Sequence, residues 1–111
     1  MKKIVSIFFG LLLSTSVFAG FVENQPVVLS VADVLDKPDD SYVTVEGNIV
    51  KRIKKDKYTF QDTTGDIVVE IDEDVWEGRT VTPDTRVRLS GEVDKEFTKR
   101  KIDVSSLTIV K

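Results

Sequence analysis

Two segments of this chain share one grammar, and it constrains the fold more than any other feature. Val43, Val45, Gly47 and Ile49 alternate with Thr44, Glu46 and Asn48; Val87, Leu89, Gly91 and Val93 alternate with Arg86, Arg88, Ser90 and Glu92. A side-chain period of two is the signature of a strand with one buried face. A glycine on the inward face marks a bend or bulge, where a sheet curls over itself. Two such strands predict a small closed barrel rather than a flat sandwich.

The segment between them reads as a hairpin. With Thr64 and Gly65 as the turn residues, Tyr58 faces Ile71, Phe60 faces Val69 and Asp62 faces Ile67. Aromatic residues then stand opposite β-branched ones on one face. Thr59, Gln61, Val68, Glu70 and Asp72 take the other face, so much of the acid here is the solvated side of a strand. "EDVWEG" is predicted to form one helical turn, with Asp74 as cap and Trp76 folded inward as a core plug. "TPDT" is a turn. The last strand is expected over Lys101 to Val110, with Ile102 and Val104 in one register and Leu107 and Ile109 in the other. Ser105 and Ser106 mark a bulge between them. Upstream, "SVADVLDKP" predicts a short helix capped by Ser30, with Asp33 at the capping-box position and Val31, Val34 and Leu35 as its apolar stripe; Pro38 ends it.

The N-terminus sets the compartment. Lys2 and Lys3 precede the apolar run Ile4 to Leu13, followed by "STSVFA". That pattern predicts a signal peptide, residues 1–19, cut after Ala19. The apolar core is shorter than the ~20 residues a spanning helix needs. With no cysteine after the cut, neither a lipid anchor nor a stable membrane anchor is expected. The expected mature protein is periplasmic, with residues 20–29 a flexible lead-in and 30–111 one domain. Removing 19 residues from 111 leaves 92, enough for one small core.

Composition then narrows the chemistry. The segment removed carries two lysines and no acid, so the mature charge is 14 basic minus 19 acidic residues, or −5. An acidic domain is a poor partner for nucleic acid. The absence of cysteine and histidine removes disulfides, the usual zinc ligands, and thiol and imidazole catalysts. A carboxylate-based hydrolase needs two acids across a cleft. A barrel filled by Tyr58, Phe60 and Trp76 leaves little room for one. No enzyme activity and no cofactor are expected.

One helix followed by five strands, the first and fourth bent at glycines, predicts an all-β five-stranded OB-fold barrel with a short N-terminal helix. "VTVEGNI", "YTFQDTTGDIVVEIDEDVWEG" and "VTPDTRVRLSGEVD" also resemble the bacterial OB-fold family of exported proteins, the YgiW/YdeI-type stress-tolerance family. The resemblance runs from about Val31 to Val110. It implies a periplasmic barrel linked to tolerance of envelope or oxidative stress, and carries over no catalytic residue.

OB-folds bind ligands over their second and third strands, between the first-second and fourth-fifth connections. Single-stranded nucleic acid there needs exposed aromatics and a basic groove. Here the hairpin's aromatics face the core and Glu70 and Asp72 face out. The two connections are basic: Lys51, Arg52, Lys54, Lys55 and Lys57 in one, Lys95, Lys99, Arg100 and Lys101 in the other. An OB-type barrel would bring both to one rim, either as solubilising charge or as a site for an anionic envelope ligand (glycan, lipid headgroup or phosphate). Arg52 and Arg100 would supply bidentate contacts. An alternative is a protein-protein adaptor or inhibitor of an envelope enzyme, acting through an exposed strand edge. A further alternative is weak cation binding at Asp72, Glu73, Asp74 and Glu77, although the register of a calcium loop is absent.

Overall fold

A computed structural model describes residues 26–111. The signal-peptide reading of residues 1–19 lies outside the described residues. The element order is β1 (Val28–Leu29), α1 (Val31–Val34), β2 (Tyr42–Lys54), β3 (Lys57–Asp62), β4 (Gly65–Glu70), α2 (Glu73–Trp76), β5 (Arg86–Glu96) and β6 (Lys99–Ile109). The strands follow one another as β1-β2-β3-β4-β6-β5, and a β2–β5 pairing closes the barrel. The barrel proper has five strands, as expected.

Of the residues expected as a lead-in, 20–25 lie outside the described residues, and two of the others form a strand. Val28 and Leu29 pair in parallel with Thr44 and Val45, adding a two-residue strand to the edge of β2.

Both inward glycines sit where the sheet turns. β2 pairs with β5 from Tyr42 to Asn48 and with β3 from Asn48 onward, so Gly47 lies beside the change of partner. Opposite Gly91 the ladder slips: Ser90 pairs with Ser106, but Gly91 pairs with Val104. Ser105 is the extra residue, so the bulge stands where the two serines placed it. β6 begins earlier than Lys101, at Lys99. The "TPDT" turn forms, closed by the Thr85 amide donating to Thr82 O.

The β3–β4 hairpin keeps the expected faces but not the expected register. Asp62 pairs with Gly65, Phe60 with Ile67 and Tyr58 with Val69, so the turn residues are Thr63 and Thr64. The Asp62 carboxylate sets this register. Oδ1 accepts from the Thr64 amide at 2.7 Å, the Thr64 hydroxyl at 2.6 Å and the Gly65 amide at 3.2 Å. An Asx-type turn thereby replaces a glycine-centred one. The slip is two residues across the pair, so parity is unchanged.

The same turn caps α1. Ser30 Oγ accepts from the Asp33 amide, as the sequence indicates. The Val31 amide donates to Asp62 Oδ2 at 2.9 Å and the Ala32 amide to Thr64 Oγ1 at 3.0 Å. Three of the helix's orphan amides are thus satisfied, two of them by residues about 30 positions away. Val31 and Val34 are buried, whereas Leu35, predicted as the third residue of that stripe, is 40% exposed.

Partial burial pushes the Asp62 carboxyl up, but hydrogen bonds from Thr64, Val31 and Gly65 outweigh it and hold the pKa below its ordinary 3.8. A depressed carboxyl contributes stability that is present above the unfolded-state pKa and lost as pH falls through the folded one. Asp62→Ala is therefore expected to cost about 2 kcal/mol at neutral pH. The penalty should shrink in acid well below pH 3.8, where the wild-type carboxyl is also protonated. Urea melts at the two pH values test this, and a penalty unchanged in acid would contradict it.

The core runs through the barrel. Val45, Phe60, Val69, Ile71, Val87, Leu89, Val93 and Ile102 are fully buried. α2 covers one end. Its N-cap is Asp72 rather than Asp74, and the Asp72 side chain makes no capping bond. Trp76 is half-buried, packing on the core's edge and meeting Tyr58 edge-to-face at 5.5 Å between ring centroids.

Candidate functional site

The two basic segments are hairpin arms more than loops. Lys51 to Lys54 belong to β2 and Lys57 opens β3, leaving Lys55 and Asp56 as the turn. Lys95 ends in β5, and Lys99, Arg100 and Lys101 open β6, leaving Phe97 and Thr98 as the turn.

A hollow of about 720 Å³ lies between the outer face of β3–β4 and the β5–β6 arm. Lys57, Lys99, Arg100 and Lys101 line it, with Thr59 and Val68 on its floor and Asp66, Asp94 and Glu96 among its walls. This is the face that OB-folds use for ligands. The two arms also meet electrostatically at Glu70. The hydrogen bond from Lys101, followed by the charges of Lys101, Lys57 and Lys54, holds the Glu70 carboxyl below its ordinary range despite partial burial. The same contact raises the Lys101 pKa against the opposing effect of burial. Glu70 is therefore not merely solvated acid, as the strand parity implied; its side chain is 29% exposed and ion-paired.

The cations in the hollow are not equally free. Lys101 is shared between Glu70 and Asp94. Arg100 Nε donates to Lys37 O at 2.8 Å, and the Lys95 amide donates to Asp39 Oδ1 at 2.8 Å. These bonds tie the arm to the segment after α1 and fix where Arg100 points. Lys57 and Lys99 enter none of the ion pairs among the described residues. Arg100 enters none either, so these three are the hollow's available charges.

Arg52 lies elsewhere. It stands over the Tyr58 ring, 5.9 Å from its centroid, and lines a second hollow with Lys55, Trp76 and Arg79. Lys51 lines a third, adjoining hollow beside Arg52 and Trp76. The nine basic residues that the sequence sends to one rim are thus distributed, and Arg52 and Arg100 do not line a common hollow. The cation–π contact explains why: Arg52 pairs with Tyr58 in the ladder, next to a bulge that turns the end of β2.

Asp72, Glu73, Asp74 and Glu77 do not converge. Among the described residues no three acidic side chains are grouped closely enough to share an ion. Phe97 is a residue that the strand parity passed over. It is 92% exposed at the tip of the β5–β6 arm, with φ at 58°. The available signal was a lone aromatic inside "KEFTKRK", at the centre of a hairpin turn.

Comparison with known proteins agrees with the architecture. Residues 13–109 match the family model described as "Bacterial OB fold (BOF) protein". The chain is 38% identical over 104 residues to the calcium-regulated OB-fold protein CarO of Pseudomonas aeruginosa, covering 92% of this chain and 90% of that one. It is 49% identical over 69 residues to protein YgiW of Escherichia coli K12, covering 62% of this chain and 53% of that protein. A solved structure of YgiW superposes with a TM-score of 0.75 at 42% identity, covering 84% of this chain and all of the other. The fission-yeast telomere capping protein Ten1 superposes with a TM-score of 0.61 at 9% identity, covering 77% of this chain and 81% of that one, a likeness of fold alone. By sequence and by fold, this chain belongs to the bacterial OB-fold family.

Proposed function

We propose that the protein is an exported, non-enzymatic binding module of the bacterial envelope. It contributes to tolerance of envelope or oxidative stress by recognising an anionic envelope molecule. The observation that carries this reading is the hollow between β3–β4 and the β5–β6 arm. Lys57 and Lys99 there enter no ion pair among the described residues, and Arg100 is held in place through its Nε. A phosphate or carboxylate would gain charge-assisted hydrogen bonds from groups already positioned. Part of the lining is acidic, which favours a ligand carrying neutral hydroxyls beside its charge over a bare polyanion.

The signal-peptide pattern and the resemblance to an exported family support this setting. Single-stranded nucleic acid is not the ligand of this reading: the hollow has no aromatic platform, and Asp66, Asp94 and Glu96 in its walls would repel a run of phosphates. The name of the Pseudomonas relative speaks of regulation by calcium. Calcium binding needs six or more oxygens, and no acidic trio among the described residues supplies them.

Titration of inorganic phosphate, glycerol phosphate and acidic glycans, followed by amide chemical shifts, tests the reading. At least one anion is expected to shift amides of β3, β4 and the β5–β6 arm, with binding that weakens as salt rises. Lys57→Ala/Lys99→Ala should weaken it about tenfold, while Arg52→Ala, in the other hollow, should leave it unchanged. If the double variant binds as wild type does, the hollow is not the site.

A further inference from the structure

The tip of the β5–β6 arm is unfavourable twice over. Phe97 is 92% exposed, leaving almost its whole ring in water. It is also the only turn residue of that hairpin with positive φ, at 58°, a position where glycine normally stands and a bulky side chain is strained. Neither cost serves the barrel, since Phe97 is absent from the core and from the groups packed against it. Retaining an exposed, strained aromatic makes physical sense if the tip is buried against something else.

The surrounding charge says what that is. Lys95, Lys99, Arg100 and Lys101 flank Phe97, with Glu96 as the one acid among residues 95–101. Lys101 is partly neutralised by Glu70 and Asp94, which leaves Lys95, Lys99 and Arg100 as the tip's cations outside ion pairs among the described residues. The other hairpin tip has the same composition: Ile53, 47% exposed, stands among Lys51, Arg52, Lys54, Lys55 and Lys57 against Asp56 alone. The two segments hold nine cations and two acids, net +7, in a chain whose net charge is −3. An apolar residue projecting from a ring of cations is the composition of an interfacial membrane contact. The ring enters the boundary between headgroups and acyl chains, and the lysines and arginines meet anionic headgroups.

We infer that the protein docks reversibly on anionic lipid bilayers through the β5–β6 tip, with Phe97 inserted at the interface and the Ile53 tip as a second, weaker contact. The inference rests on the anionic reading above for the sign of the charge: Lys99, Arg100 and Lys101 are shared with the hollow, whereas Phe97 belongs to the tip alone. No helix among the described residues is long and apolar enough to cross a membrane.

The test is sedimentation of the purified protein with vesicles of phosphatidylethanolamine and phosphatidylglycerol, against vesicles of phosphatidylcholine alone. Binding is expected to the anionic vesicles only, and to fall steeply with added salt. Phe97→Gly should weaken it about tenfold or more. That variant removes the strain at positive φ, so its thermal stability should be at or above wild type and misfolding is not an alternative explanation. Phe97→Trp should restore binding. Phe97 does not line the hollow, so Phe97→Gly should leave glycerol phosphate binding in solution unchanged, whereas Lys57→Ala/Lys99→Ala, which removes charge from both the hollow and the tips, should weaken both kinds of binding. Loss of vesicle binding in Phe97→Gly with glycerol phosphate binding kept supports the tip. Vesicle binding by Phe97→Gly equal to wild type, no binding by wild type, or equal binding to phosphatidylcholine would each overturn the inference. So would a protein partner that needs Phe97 when anionic vesicles do not.

Discussion

Gly91→Ala is expected to destabilise the protein by about 3 kcal/mol, although it adds a single methyl group. A Cβ at Gly91 would lie 2.8 Å from Val104 Cα and closer still to the Asp103 carbonyl oxygen. Both obstacles are backbone, which cannot rotate away as a side chain would. They belong to the stretch of β6 where Ser105 is bulged and the barrel curls. Accommodating the methyl means pushing β6 outward, which breaks the close packing of Val93, Ile102 and Val104 beneath it. Gly78→Ala is the informative comparison. Gly78 has φ of 74° and open space around it, so its replacement carries only a conformational cost of about 1 kcal/mol. Urea melts of the two variants should differ severalfold. Equal losses would mean that the inward glycine is not held by a steric limit.

Phe60→Ala should cost about 3–5 kcal/mol. Phe60 is fully buried and is the largest such side chain in the barrel. It stands opposite Ile49 on one neighbouring strand and Ile67 on the other, and its ring lies against Gly47. Truncation leaves a void whose walls are three strands of a closed sheet, which can relax little. With a single small core and no disulfide, that loss is a large share of the stability available. Gln61→Ala, one residue along and on the outer face, should change stability by no more than about 0.5 kcal/mol. Similar midpoints for the two variants would place Phe60 outside the core.

Local pattern carried much of this fold. Strand parity alone puts Phe60 in the core, and parity holds even though the hairpin register differs from the expected one. The two-residue slip moved each partner but returned every side chain to the same face. The register itself was hidden because the turn has no glycine pair at its centre. It is set by how many donors the Asp62 carboxylate can gather, and one of these, the Val31 amide, comes from another element. The paired serines did announce the bulge in β6, because a bulge is a local break in alternation.

The site was less legible. Nine basic residues in two segments were visible as charge, and the fold reading placed both segments along the barrel's binding face. Which of them remain free was decided in three dimensions. Lys101 is held by Glu70 from a strand 31 positions earlier, Arg100 by the Lys37 carbonyl 63 positions earlier, and Arg52 by its position over Tyr58. Within the hollow, those contacts leave Lys57 and Lys99 as the lysines that enter no ion pair among the described residues.

By itself the sequence determined the barrel, its curling points, its inward faces and the placement of positive charge at two hairpins. These depend on side-chain period and on glycine, which act over neighbouring residues. Tertiary structure alone decided that the charges divide between separate hollows, that the β3–β4 turn caps α1, and that Phe97 is left in solvent. The reason is that ion pairs, caps and exposure are settled by which distant strands the closed sheet brings within about 3–4 Å, a distance that no spacing along the chain encodes.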